Sequence, residues 1–284
     1  MAIAKVRANV SYPMTIALPT LEQGADWIVR FGRLGYIVEG VVYIIVGILA
    51  TEAALGTGGR TTDIKGAFQI IGTAPFGMMA LTVVAAGLFG YAAWRIVSSI
   101  TDAERTRAEP TGYMMRVADF AEGIVYGSFG VWVAEYLMRD HVSVDDQTSH
   151  MTHRVLQFPA GRWLVIAAGL AMLAYAIYQF RSAITRKFLY RLDLSNAGRS
   201  RFWIERLGGF GVAARAAVLA MIGILIIRAG WDVDPSKAGG IEKSLDVIAN
   251  QTAGSVMFAF VATGLIAYGI LQLVTARYRV MRAL

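Results

Sequence analysis

Long apolar stretches separated by short polar ones run through the chain, and within them polar residues do not gather on one helical face. Six stretches, about 36–55, 76–98, 118–138, 162–180, 211–230 and 254–275, reach the roughly 20 predominantly apolar residues that cross a bilayer. Helices apolar on every side have no face to show water, so the pattern argues against a soluble bundle and predicts six transmembrane helices. Shorter elements flank them. Leu21, Ala25, Trp27, Ile28, Phe31 and Leu34 recur at helical spacing opposite Asp26, Arg30 and Arg33. That stripe fits a helix lying at headgroup level, or a cytoplasmic extension of the first span. Asp63 to Ile71 reads as a short helix that re-enters toward the bilayer after the turn at Gly56 to Gly59.

The spans repeat. Glu39-Gly40-Val41-Val42-Tyr43 with Gly47 lines up on Glu122-Gly123-Ile124-Val125-Tyr126 with Gly130, and a third copy, Arg215-Ala216-Ala217-Val218-Leu219 with Gly223, keeps the small residues. In the second spans, Pro75, Gly77 and Tyr91 correspond to Pro159, Gly161 and Tyr175, and Gly254, Tyr268 and Gln272 match Gly161, Tyr175 and Gln179. A unit of roughly 80 to 90 residues holding two spans predicts an all-α polytopic membrane protein of three tandem helical hairpins, 27–107, 108–199 and 200–284, after a cytoplasmic tail at 1–26. Each hairpin crosses and returns, so the three run in the same sense, around an approximate threefold axis. Pro13 and Pro19 interrupt the N-terminal run behind Lys5 and Arg7, so this segment is read as retained rather than as a signal peptide.

Composition agrees with the pattern: 56% of the 284 residues are hydrophobic and 17% charged, with mean hydropathy +0.52. Most of the 27 Lys and Arg fall in the N-terminal segment, the 2–3 and 4–5 connections and the C-terminus, which places both termini in the cytoplasm by the positive-inside rule. The net charge of +7 then reflects anchoring to anionic headgroups, and no nucleic-acid partner is expected. The connection 181–206, where Arg186, Arg191 and Arg201 interleave with Tyr190, Phe202 and Trp203, is read as a membrane-surface helix or a lipid-headgroup patch, with a docking site for a cytoplasmic partner as the alternative.

Candidate chemistry sits in the charges that repeat inside the spans. Glu39, Glu122 and Arg215 occupy one repeat position and Glu52, Glu135 and Arg228 another, separated by roughly 20 Å of helix and turned to a different face. A charge inside a span is costly, so the first set is expected to face the bundle, with Arg215 bridging at least one carboxylate; the alternative is that all six snorkel at span ends. Two carboxylates against one guanidinium leave a surplus that this pairing does not balance. Gly40, Gly47, Gly123, Gly127, Gly130 and Gly223 are read as close-packing positions between helices. His141, His150 and His153, every histidine of the chain, share the 3–4 connection with Asp145 and Asp146, a donor set that suits zinc, although no established spacing is matched. The chain has no cysteine, so disulfides, thiolate catalysis and iron–sulfur clusters are excluded.

Arg33-Leu34-Gly35-Tyr36, Gly40-Val41-Val42-Tyr43, Gly47, Gly66-Ala67, Gly87 and Tyr91 together resemble the bacterial membrane family catalogued as domain of unknown function 1206. The resemblance covers the chain from about Trp27 onward and implies three tandem two-helix units in a bacterial inner membrane. A basic residue usually precedes the Gly-Val-Val-Tyr motif of that family; Arg215 fits this habit, whereas Glu39 and Glu122 depart from it. No activity is implied. No nucleophile–base pair or cofactor fingerprint stands out, so an enzyme is not expected and no cofactor is assigned. The expected function is a structural or accessory subunit of a larger membrane complex, with the bilayer and other membrane subunits as partners. The alternative is a small-solute or ion channel or transporter that uses the intramembrane Glu and Arg residues.

Overall fold

The structure, a computed structural model, describes residues 19–55, 64–101, 112–138, 147–195, 197–198, 200–249 and 254–279. They form α1 (Pro19–Ala54), α2 (Ile64–Thr73), α3 (Gly77–Thr101), α4 (Gly112–Met138), α5 (Gln147–Leu156), α6 (Gly161–Thr185), α7 (Ser200–Asp232), α8 (Ile241–Ala249) and α9 (Gly254–Tyr278). Five of these, within α1, α3, α6, α7 and α9, are long and apolar enough to cross a membrane. The protein is a multi-pass membrane protein. α4 has 27 residues and packs along α3, but Arg116, Asp119, Glu122 and Glu135 lower its hydropathy.

α1 runs unbroken for 36 residues, with Pro19 at its first position, where a missing N–H costs nothing. The amphipathic stripe at 21–34 is therefore continuous with the first span. Each repeat also carries a short helix between its two long ones, α2, α5 and α8. On α2, Ile64, Ala67 and Phe68 turn inward, and Phe68 stacks on Trp132 at 6.4 Å; on α8, Ser244, Leu245 and Ile248 do the same. The 181–206 segment is not a single surface helix. Arg186 adopts a left-handed conformation (φ 57°) and caps α6, a 3-10 turn follows at Lys187–Arg191, and Leu192 pairs with Arg279 as an isolated antiparallel bridge.

Three seams between neighbouring repeats use the same positions. A Cβ at Gly40 would lie 2.7 Å from the Gly269 carbonyl oxygen, so α1 and α9 touch backbone to backbone there; at the equivalent place on α4, Gly123 meets Ile96 and the Ala92 carbonyl of α3. One turn or two further on, Gly47 meets Ile266, Gly130 meets Phe89, and Gly223 meets Leu173 and the Gly169 carbonyl, so α6 lies on α7 in the same register. Small residues permit this approach, and dispersion across it is the main force available between helices in lipid. Gly127 is looser, 3.5 Å from the Ala92 side chain.

Seams within a repeat differ. α1 packs on α3 and α7 on α9, but α4 and α6 make no comparable seam among the described residues. The sequence accounts for this. In repeat 1, Gly32, Gly35 and Gly87 receive Trp94, Tyr91 and Val38; in repeat 3, Gly208, Gly211 and Gly264 receive Leu271, Tyr268 and Ala214. A Cβ at Gly35 or Gly211 would collide with Tyr91 or with the Tyr268 backbone. The same places in repeat 2 hold Met115, Ala118 and Ala171, which carry side chains where the closed hairpins have none. The long helices therefore follow one another as α4, α3, α1, α9, α7, α6, open between the two ends.

Candidate functional site

The bundle interior gathers ionisable groups around two carboxylates. Glu39, 3% exposed, lies on α1 one residue before the Gly40 contact, so close packing against α9 turns it inward. The Tyr126 hydroxyl donates to its Oε1 at 2.6 Å, the Tyr268 hydroxyl donates to the same oxygen at 3.1 Å, and the Gln272 amide donates to Oε2. All three donors are neutral. Glu122, beside Gly123 on α4, meets cations instead. Arg95 reaches its Oε2 at 2.8 Å, Arg215 its Oε1 at 3.4 Å, and the Tyr175 hydroxyl donates to Oε1 at 2.8 Å across the α4–α6 opening.

Arg95, on α3, is the hub. Its Nη1 pairs with Asp119 at 2.9 Å, its Nε donates to the Tyr91 hydroxyl at 2.9 Å, and its guanidinium lies over the Tyr91 ring at 5.1 Å. Arg215 sits over the Tyr268 ring at 5.0 Å and donates to the Tyr43 hydroxyl at 3.3 Å. The structure thus brings Glu39, Glu122 and Arg215 into one cluster, with Arg215 bonded to Glu122 and linked to Glu39 through Tyr268. Arg95 supplies the second cation that the sequence set lacked.

A cavity of about 120 Å³ opens beside this cluster. Asp119 and Glu122 of α4 and Tyr175, Tyr178 and Gln179 of α6 line one side, and Arg215, Tyr268, Gln272 and Arg279 the other. That volume holds more than one water, and its walls mix donors and acceptors with apolar Phe188, Leu192, Val212 and Leu271. On the opposite side of Glu39, under Ile64 and Phe68 of α2, packing leaves only about 10 Å³.

The other sequence-predicted residues lie elsewhere. Glu52, Glu135 and Arg228 are exposed. His141, Asp145 and Asp146 lie outside the described residues, while His150 and His153 fall on α5, with His153 exposed. No group of three His, Cys, Asp or Glu able to hold a metal occurs among the described residues. Sequence reasoning missed Arg95 and Asp119 as site residues. The signals were present: Arg95 holds the repeat position of Gln179 and Gln272, and Asp119 precedes Glu122 by one helical turn, on the same face.

Apolar helices, internal repeats and a buried polar cluster define a helical, multi-pass membrane protein built from three related units. Its family is a narrower matter. The chain belongs to the family described as Domain of Unknown Function (DUF1206), whose model matches three times, at 34–102, 119–186 and 210–279. It is also 32% identical over 263 residues to the "Uncharacterized protein YxxB" of Bacillus subtilis (strain 168), across 92% of this chain and 94% of that one. No solved structure matches the chain.

Proposed function

We propose that this protein binds a small polar solute in its central cavity and passes it into or across a bacterial inner membrane. The observation that carries the reading is the cavity beside the Arg95–Glu122–Arg215 cluster. Ionisable residues at membrane depth are costly, and such groups mark solute or ion pathways when they line water-filled space. In this reading α4 is the sixth transmembrane helix, its charges turned to the cavity. The three hairpins 27–107, 108–199 and 200–284 stand around an approximate threefold axis, which the recurring Gly40/Gly123 and Gly47/Gly130/Gly223 contacts support. Both termini face the cytoplasm, on the side where Lys and Arg accumulate.

The test uses the absence of cysteine. Ala118→Cys on α4 and Ser182→Cys on α6 place single thiols at the cavity wall. Both are expected to react with small water-soluble methanethiosulfonates, whereas a thiol at buried Val46 of the α1 core is expected to stay silent. Failure of both cavity positions to react in folded protein would reject a solute site.

A structural or accessory role in a larger membrane complex is the second reading. It is favoured by α6, which packs along α7 alone among the long helices and leaves Trp163, Leu164, Leu170 and Ile177 facing outward. A stoichiometric subunit that co-purifies in mild detergent, and that protects α6 from labelling, would favour this role over the first.

A further inference from the structure

The three seams between repeats end differently. Where the second helix of each repeat starts, Met78 and Met79 of α3 correspond to Arg162 and Trp163 of α6 and to Ser255 and Val256 of α9. On the facing helices, Leu55 after α1 and Met138 of α4 correspond to Trp231 of α7, and Glu52 and Glu135 to Arg228. Four positions that are apolar, small or acidic at two seams thus become two arginines and two tryptophans at the third.

Both arginines lack a partner among the described residues. Gly230 closes the α6–α7 seam to its end, since a Cβ there would lie 3.2 Å from the Arg162 carbonyl oxygen, so the Arg162 backbone is fixed against α7. Its guanidinium lies 5.5 Å from the ring centroids of both Trp163 and Trp231. The Nε is shielded from solvent with no hydrogen-bond partner, and no carboxylate pairs with the group. Arg228, one turn before Trp231 on α7, is exposed and likewise unpaired. Asp232 is taken by Lys237 at 2.8 Å. Two indoles hold the Arg162 plane and leave its Nη groups for an oxyanion such as phosphate.

The surroundings suit a lipid. Trp163 and Trp231 are 64% and 62% exposed at the ends of two spans, where indoles sit at headgroup depth. Further into the spans, exposed Leu170 and Ile177 continue the Trp163 face of α6 at two-turn intervals, and exposed Ile224 lies two turns from Trp231 on α7. A phosphate at Arg162 therefore has an apolar path for acyl chains beneath it, which a free anion would not need.

We infer that this end of the α6–α7 seam binds one anionic phospholipid, with its phosphate at Arg162, Arg228 beside it, and its chains along α6 and α7. Two unpaired cations select an anionic lipid, since each is worth about fivefold in attraction to anionic headgroups. The other two seams carry carboxylates where Arg228 stands and offer no such site. Because α6 packs along α7 alone among the long helices, a lipid that bridges the two braces the cavity wall.

Native mass spectrometry of the full chain in mild detergent, mixed with phosphatidylglycerol or phosphatidylcholine, tests it. One phosphatidylglycerol is expected to be retained in preference. Arg162→Gln with Arg228→Gln is expected to weaken that retention by about tenfold or more. Arg181→Gln with Arg277→Gln removes the same charge from two exposed positions at the opposite ends of long helices, and is expected to change it little. Arg228→Gln alone leaves the Trp163–Arg162–Trp231 stack in place and is expected to give part of the loss, so the result does not depend on the double variant folding. Equal loss in the two double variants, or equal retention of phosphatidylcholine, overturns the site in favour of nonspecific attraction. Displacement of phosphatidylglycerol by millimolar inorganic phosphate overturns the lipid in favour of a free anion.

Discussion

Repeats 1 and 3 close their hairpins and repeat 2 does not. The closed pairs, α1 on α3 and α7 on α9, meet through Gly32, Gly35 and Gly87 or Gly208, Gly211 and Gly264. Repeat 2 reads Met115, Ala118 and Ala171 at those places, and its helices are joined by the Tyr175–Glu122 hydrogen bond instead of a packed seam. The hairpins that carry glycine at these three positions are packed pairs, and the one that does not forms a wall of the cavity. Charge follows the same division. Glu39, inside the closed part of the bundle, is satisfied by neutral donors, whereas Glu122, at the opening, is held by two arginines.

If charge rather than packing secures the open side, its largest dependence is on Arg95. Arg95→Leu would strand Asp119 and Glu122 without their nearest cation, and breaking a buried pair costs about 3–5 kcal/mol. Gln272→Leu, the equivalent position in a closed hairpin, removes one neutral donor from Glu39 and is expected to cost about 1–3 kcal/mol. Thermal melts in detergent measure both. Equal losses would show that the open side is not specially dependent on charge. The packing half of the comparison is tested by Gly211→Val against Ala118→Val. The first drives a side chain into the Tyr268 backbone and is expected to cost about 1–3 kcal/mol, while the second projects into the cavity margin and is expected to cost less than about 1 kcal/mol.

Much of this was legible in the sequence and some was not, for identifiable reasons. The hairpin repeat and the inward position of Glu39, Glu122 and Arg215 follow from periodicity, because a glycine beside each carboxylate marks the packed face. The open seam was also written there, as Ala118 against Gly35 and Gly211, but its meaning needed the helix pairing. A tandem repeat leads one to expect equal seams, and only the partner across each glycine shows which seams are closed. The helices α5 and α8 escaped notice because they are short and carry His150, His153, Glu242 and Asp246 among their apolar residues. Arg95 was passed over as a cation at the end of a span, since length alone could not show that α3 continues to Thr101 and carries Arg95 inside the bundle.

A smaller effect is expected from the Tyr175–Glu122 hydrogen bond, which crosses the opening. Tyr175→Phe removes the donor to Glu122 Oε1 while keeping the ring, and the Arg95 and Arg215 contacts to Glu122 remain. Loss of a hydrogen bond to a charged group is worth about 1.5–3 kcal/mol at most, and water in the cavity can replace this donor, so a loss near 1 kcal/mol is expected. A thermal melt measures it, and labelling of Ser182→Cys should accelerate as α6 becomes less tethered. Unchanged labelling would indicate that the bond does not restrain the opening.

The smallest change in stability, and the sharpest test of the comparison, is expected when the glycines of the closed hairpins are restored to the open one. Ala118→Gly with Ala171→Gly removes two side chains that stand where the closed hairpins carry glycine. Each glycine costs roughly 0.8–1 kcal/mol in an exposed helix interior, but new dispersion contact across a closed seam offsets that loss. The net change in melting is therefore expected to be small while the geometry changes. Spin labels at Ile124 and Ile177, both outward and about half exposed, report the separation of α4 and α6 without touching the cavity. Their distance should contract by a few ångströms in the glycine variant, toward the 8–10 Å axial spacing of packed helices, and labelling at Ser182→Cys should fall with it. A fixed distance would transfer the cause of the opening from side-chain bulk to the Asp119 and Glu122 charges. Asp119 stands where the closed hairpins carry Tyr36 and Val212, and closing the seam would bury that carboxylate against α6.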